Sequence, residues 1–128
     1  MSNEKRTKWL ARLSDVSEVI RLVRGDLGCA CPLSVFEHYQ VAYREENPGP
    51  LVQVIVGDRL LLWIVDGTDI PLSASTLSPI ITKGCKERDR RGLNRFRLVL
   101  EGMHSHPETL ILEQIMAPYD SRTHIHFL

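Results

Sequence analysis

The sequence has few cysteines, no excess of charge of either sign and no long apolar run. Its 128 residues include three cysteines, an odd number, and two of them are separated by one residue. We therefore expect reduced thiols rather than a disulfide framework. Sixteen basic residues balance sixteen acidic ones, which argues against a general binder of nucleic acid or membrane surfaces. The longest apolar stretch, Leu60 to Val65, is far shorter than the ~20 residues of a membrane span.

Several well-known motifs are missing from the sequence. It contains no phosphate-binding GxxxxGK[ST], no dinucleotide-binding GxGxxG and no GxSxG nucleophile motif.

The first residues, MSNEKRTKW, are not followed by the apolar segment of a secretory signal. We therefore expect a cytoplasmic protein without a membrane anchor.

The composition is that of an ordinary globular protein, with 43% hydrophobic and 25% charged residues. The length suits one domain, so residues 1–128 are predicted to form a single α+β domain. We expect an antiparallel sheet of about four to five strands with helices packed against one face. Gly57-Asp58 is predicted to be a two-residue hairpin turn. The periodicity predicts helices at 15–24, 32–40, 79–91 and 109–116, and strands at 41–44, 51–56, 59–65, 94–101 and 123–128.

Cys29 and Cys31 lie in the segment Gly-Cys-Ala-Cys-Pro, immediately before the predicted helix at 32–40. A helix N-terminus stabilises a thiolate, the form of cysteine that attacks disulfides and binds metals. Two sulfurs two residues apart can also bind one ion. The alternative is that these are two small residues that fill a tight loop, because one Cys-x-Cys pair is a weak motif.

Cys85 has basic neighbours along the chain and is a third candidate. It would complete a metal site or resolve a disulfide with Cys29 or Cys31. The alternative is a buried cysteine on the inner face of a helix.

Four of the five histidines form two His-x-His pairs, His104 with His106 and His124 with His126. Residues two apart on a strand point to the same face, so His124 and His126 can converge on one metal ion. The alternative places them on the exposed face of an edge strand. His104 and His106 precede Pro107 and are predicted to lie in a loop.

The segment 83–97 carries seven basic and two acidic residues, a net charge of +5. Such a segment can contact phosphates or an acidic protein partner, or it can be a solvated helix face followed by a half-exposed strand.

The apolar run Leu60 to Val65 has no polar side, which predicts a strand buried on both faces. A second copy of the chain is one way to cover it, so we expect a homodimer.

Three functional hypotheses follow from these residues. The first is a small metal-binding accessory or regulatory protein that holds zinc or an iron–sulfur cluster. Its candidate ligands are Cys29, Cys31, Cys85, His124 and His126. The second is a thiol-based redox enzyme that uses Cys29 and Cys31. The third is a non-catalytic, self-associating interaction module.

Overall fold

A computed structural model of the chain describes residues 1–45, 49–68, 70–102 and 108–128. Five strands form one sheet in sequence order, β1-β2-β3-β4-β5. Within the described residues, no helix is both long and apolar enough to cross a membrane. The strands are β1 (Tyr39–Arg44), β2 (Leu51–Val56), β3 (Leu60–Asp66), β4 (Arg95–Glu101) and β5 (Thr123–Phe127).

The sheet is mixed rather than antiparallel, which corrects the sequence prediction while the α+β class is confirmed. β1, β2 and β3 form an antiparallel meander. β3 pairs with β4, and β4 with β5, in parallel. The physical reason is the helix between each of these last pairs, since a crossover returns the chain to the same edge in the same direction.

The turn between β2 and β3 has three residues, Gly57, Asp58 and Arg59, rather than the two predicted. Gly57 has a φ of 57°, a conformation that glycine adopts without steric cost. The amide of Arg59 closes the turn by donating to the carbonyl of Val56 at 3.2 Å.

The first 38 residues pack on one face of the sheet, here called the front face. Helix α1 (Asn3–Leu13) is followed by α2 (Val16–Ile20), which continues as a π-helical segment, Arg21–Asp26. Asp15 caps α2 through the amide of Ser17, as expected of an N-cap residue. The predicted helix at 32–40 is only a short 3-10 helix, Leu33–Glu37. Trp9, Leu13, Val19, Leu22, Val23 and Phe36 bury against Val52, Val54, Val56, Leu60, Leu62 and Ile64 of the sheet.

The opposite, back face is covered by α3 (Ala74–Arg90) and α4 (Thr109–Met116). Helix α3 begins five residues before the predicted start, because Ser73 caps it by accepting from the amide of Thr76. Leu77 and Ile81 of α3 and Ile115 of α4 pack on Leu61, Trp63, Phe96, Leu98 and Leu100.

The central strand β3 is buried on both faces, as the Leu60 to Val65 run predicted. Leu60, Leu62 and Ile64 belong to the front cluster, and Leu61 and Trp63 to the back one. The covering elements come from the same chain. We expected a dimer because a single chain could leave one face of β3 uncovered. Since both faces are covered, this reason for a dimer does not apply.

Candidate functional site

The two paired cysteines lie in the loop between the π-helical segment Arg21–Asp26 and the 3-10 helix Leu33–Glu37. The structure joins Cys29 and Cys31 in a disulfide, with their Cα atoms 5.5 Å apart. Both belong to the front apolar cluster, and their exposed fractions are 6% and 1%. The pair is thus an oxidised, largely buried group rather than the two reduced thiols expected.

Backbone hydrogen bonds hold this loop in place. The amide of Cys29 donates to the carbonyl of Val23 at 2.9 Å, and the amide of Leu27 donates to Leu22 at 2.9 Å. Gly28, with a φ of 66°, makes the bend between them. The 3-10 helix after the loop has only five residues, so it does not supply the helix N-terminus expected to stabilise a thiolate.

Cys85 lies on the other side of the sheet. It is half-buried on α3, packs against the back cluster, and its Sγ is 3.2 Å from Oγ1 of Thr123. The sheet therefore separates Cys85 from Cys29 and Cys31. In this conformation Cys85 is neither a ligand shared with the pair nor its resolving thiol.

His124 and His126 share one face of β5, as their spacing predicted, and their ring centroids are 6.4 Å apart. The register pairs His124 with Arg97 and His126 with Val99, and Val99 belongs to the front cluster. The histidines therefore lie on the front face, the same face as the disulfide. β5 is an edge strand, and both histidines are half-buried.

Arg97 links this part of the front face to the cysteine loop. Its Nη1 donates to the carbonyl of Leu27 at 3.2 Å, two residues before Cys29, and lies 2.7 Å from Nε2 of His126. Because a guanidinium can only donate, Nε2 of His126 must be the acceptor in this contact. Arg97 is only 7% exposed.

The electrostatic surroundings of the two histidines are positive. Burial, Arg97 and His124 lower the pKa of His126 to about 4. Burial, Arg97 and Arg95 lower the pKa of His124 below its usual value. A metal cation bound here would meet the charge of Arg97 and would have to displace its contact with His126.

The five candidate metal ligands are not brought together. Cys29 and Cys31 are bonded to each other, Cys85 is on the back face, and the histidines contact Arg97. No group of three or more His, Cys, Asp or Glu side chains suited to a metal ion occurs in the described part of the chain. His104 and His106 lie outside the described residues. Metal binding stays a prediction.

The basic segment 83–97 is divided between the two faces. Arg88 on α3 is 1% exposed and forms an ion pair with Asp120 at 2.8 Å. Arg90 and Arg91 both pair with Glu87. Arg95 and Arg97 lie on the front face instead, because they alternate along β4 with Phe96 and Leu98 of the back cluster. The segment is not one continuous surface for an acidic partner.

A second polar cluster lies where the parallel strands β3 and β4 end. Asp66 and Glu101 are register partners, and Nζ of Lys5 lies 3.1 Å from Asp66 and 3.3 Å from Glu101. Asp66 also borders a cavity of about 310 Å³ that is lined mainly by apolar side chains. No local sequence pattern indicates this cluster, because Lys5 and Glu101 are 96 positions apart.

Comparison of the chain with protein-family models, curated proteins and solved structures gives no significant match. A functional assignment therefore has to come from the chemistry of the groups described above.

Proposed function

We propose that the protein is a thiol–disulfide redox protein whose reactive group is the Cys29–Cys31 pair. The observation that carries this proposal is the direct bond between the two sulfurs within one short loop. The pair belongs to a single loop, so its reduction removes no crosslink between helices or strands.

A structural role explains this disulfide poorly. A crosslink stabilises a fold mainly by restricting the unfolded chain, and the effect grows with the size of the closed loop, reaching about 3 kcal/mol for 15 residues. Cys29 and Cys31 are two positions apart, so the bond removes little freedom from the unfolded chain. A bond of small structural value in an ordered loop favours a chemical role.

The redox step needs a dithiol reductant, such as a reduced protein dithiol. Its thiolate attacks one sulfur of the pair, which forms a mixed disulfide and releases the other cysteine as a thiolate. The second thiol of the reductant then displaces the remaining cysteine, and the released thiolates take up protons. Two electrons and two protons pass to Cys29 and Cys31, and the reductant becomes a disulfide. Cys29, the more exposed residue of the pair, is the expected point of attack.

The test is a redox titration of the whole protein in buffers of reduced and oxidised dithiothreitol, with free thiols trapped by alkylation and counted by mass spectrometry. We expect two thiols to appear together while near-ultraviolet circular dichroism still reports a folded core. Cys85→Ser should titrate in the same way, because Cys85 is on the opposite face. The paired variant Cys29→Ser with Cys31→Ser should show no transition.

Two results would contradict the redox proposal. One is a pair that is reduced only when the protein unfolds. The other is a pair that stays reduced in every buffer, which would mean that the disulfide does not form in solution.

Metal binding is the alternative function, and it requires the reduced form of Cys29 and Cys31. Reduction would free two thiols in one loop, and thiolates are ligands for zinc and iron–sulfur clusters. Elemental analysis of protein purified without a His tag, under reducing conditions, tests it. About one zinc per chain, or an iron–sulfur cluster, that is lost on replacing Cys29 and Cys31 by serine would support metal binding; metal-free protein that does not take up zinc would remove it.

The sequence also predicted a cytoplasmic homodimer with an acidic partner, and these remain proposals. Because both faces of the sheet are covered, the remaining way to form a dimer is edge-to-edge pairing through β1 or β5. Light scattering at micromolar concentration decides between a mass near 14.6 kDa and twice that value.

A further inference from the structure

The front face holds two positive side chains, Arg95 and Arg97, for which the described residues provide no acidic partner. Arg95 and Arg97 lie two apart on β4, and His124 and His126 lie beside them on β5. Within the described residues, no carboxylate forms an ion pair with Arg95 or Arg97. Burial and the nearby positive charge of Arg95 both lower the pKa of the Arg97 guanidinium. Arg95 and Arg97 therefore repel each other.

The guanidinium of Arg97 is buried and only partly used. Its Nη1 has two contacts, with Leu27 and His126. Its Nε is buried without a hydrogen-bond partner in the described part of the chain. Nη2 also makes no hydrogen bond to the residues that are described. A buried cation with unused donors is costly unless something satisfies it.

The geometry of these donors indicates their partner. Nε is enclosed, with almost no accessible surface, whereas Nη2, which has no partner among the described residues, can donate a charge-assisted hydrogen bond to an oxygen of a carboxylate or phosphate. Arg88 shows the alternative within this chain. Its Nη1 and Nη2 donate to the two oxygens of Asp120 at 3.1 and 2.8 Å. Arg97 is also buried, with 7% of its surface exposed against 1% for Arg88, but it has no such carboxylate among the described residues.

We propose that Arg97, with Arg95 and His124 beside it, forms a binding site for the oxyanion group of a small ligand, a phosphate or a carboxylate. Arg97 supplies a hydrogen bond from Nη2, and Arg95 adds positive charge at the half-buried start of β4. The site suits one small group because its central cation is 93% buried and its Nε is enclosed. The site is independent of the redox proposal, although Leu27 connects it to the cysteine loop.

The site can be tested with inorganic phosphate and acetate as probes, each titrated against sodium chloride at the same ionic strength. Thermal unfolding and backbone amide NMR shifts are the readouts. We expect a saturable rise in Tm, with shifts confined to residues around Arg97, for at least one probe. A response to phosphate alone indicates a phosphoryl ligand, and a response to acetate indicates a carboxylate.

Three variants separate a specific site from general charge. Arg97→Lys keeps the charge but removes the Nη2 donor, and Arg95→Gln removes a charge without disturbing the core. Both should weaken binding at least about tenfold, the equivalent of 1.4 kcal/mol. Lys86→Gln, an exposed residue of α3 on the back face, removes the same charge and should bind as the unaltered protein does.

Arg97→Lys also replaces a buried side chain, so its fold must be checked by circular dichroism. Arg95→Gln carries the conclusion if Arg97→Lys is unfolded. The proposal is wrong if neither probe exceeds the effect of chloride, or if Lys86→Gln weakens binding as much as Arg95→Gln does.

Discussion

Arg88 and Asp120 form a two-pronged ion pair that joins α3 to the turn before β5. Nη1 and Nη2 of Arg88 donate to the two carboxylate oxygens of Asp120 at 3.1 and 2.8 Å. The Arg88 side chain is 2% exposed, whereas that of its second acidic partner, Asp89, is 60% exposed. Arg88 also donates to Oγ1 of Thr123 at 3.0 Å. A residue in the middle of the basic segment therefore has a structural role.

Replacement of Asp120 by alanine is expected to be destabilising, because it leaves the buried charge of Arg88 with Asp89 as its remaining acidic partner. Since Asp120 is itself 43% exposed, we expect a loss of about 2 kcal/mol, between the values for buried and exposed pairs. Asp89→Ala is the matched control, because Asp89 is more exposed and receives one hydrogen bond from Arg88 rather than two, and its pair should contribute about 1 kcal/mol or less. Urea denaturation of both variants measures the difference. Equal losses would contradict the assignment of Asp120 as the principal partner.

Gly84 and Gly25 give a second pair of contrasting substitutions. A Cβ at Gly84 would overlap the ring of Phe96, whereas a Cβ at Gly25 would meet only the Arg21 side chain, at 3.8 Å. Gly84→Ala should destabilise by about 1–3 kcal/mol through overpacking. Gly25→Ala, in a helical segment without a positive φ, should stabilise by about 0.5–1 kcal/mol. An unchanged or raised melting temperature for Gly84→Ala would contradict the close packing of α3 on β4.

The cluster of Lys5 and Asp66 predicts a loss of stability in acid. Burial opposes ionisation of Asp66, but hydrogen bonds from Thr68 and from Lys5 outweigh it and lower its pKa to about 2, against an ordinary value of 3.8. Because the folded pKa lies below the unfolded one, this stabilisation is present above about pH 4 and is lost as the pH falls through 2. We expect about 1 kcal/mol from it after allowance for solvent screening.

Asp66→Asn tests this pH dependence. The variant should be less stable than the unaltered protein at pH 7, and the two should converge as the pH falls towards 2. Asp58→Asn, at an exposed position of the β2–β3 turn, should follow the unaltered protein at every pH. A constant difference between Asp66→Asn and the unaltered protein from pH 7 to pH 2 would mean that the Asp66 carboxylate does not carry the effect.

The strand positions were largely predictable, but their directions were not. Alternation and turn residues located all five strands, and the unbroken apolar run of Leu60 to Val65 correctly indicated burial on both faces. The order of elements from β3 onward is strand, helix, strand, helix, strand, which is the pattern of parallel crossovers. The predicted helices at the start of the sequence and strands in its middle favour an antiparallel sheet instead, and this grouping masks the alternating order.

The candidate sites depend on contacts between distant parts of the chain, and only their local parts were predictable. The shared face of His124 and His126 follows from a two-residue period. The contacts of Arg97 with Leu27 and His126 join segments 70 and 29 positions away, which no local pattern shows. The position of Cys85 was not predictable for the same reason. Its place on the far side of the sheet depends on which face α3 covers, and the sequence does not encode this locally.

The first 38 residues, here called the N-terminal unit, contact the sheet almost wholly through side chains. Within the described residues, the backbone hydrogen bond from this unit to the sheet region comes at its last residue, where His38 accepts from Gly57. An opening of this unit would leave the backbone pairing of all five strands intact, but it would expose the front apolar cluster. Such an opening would carry Cys29 and Cys31 from the apolar interface into solvent. The rate at which an external thiol reaches them would then follow the detachment of the first 38 residues.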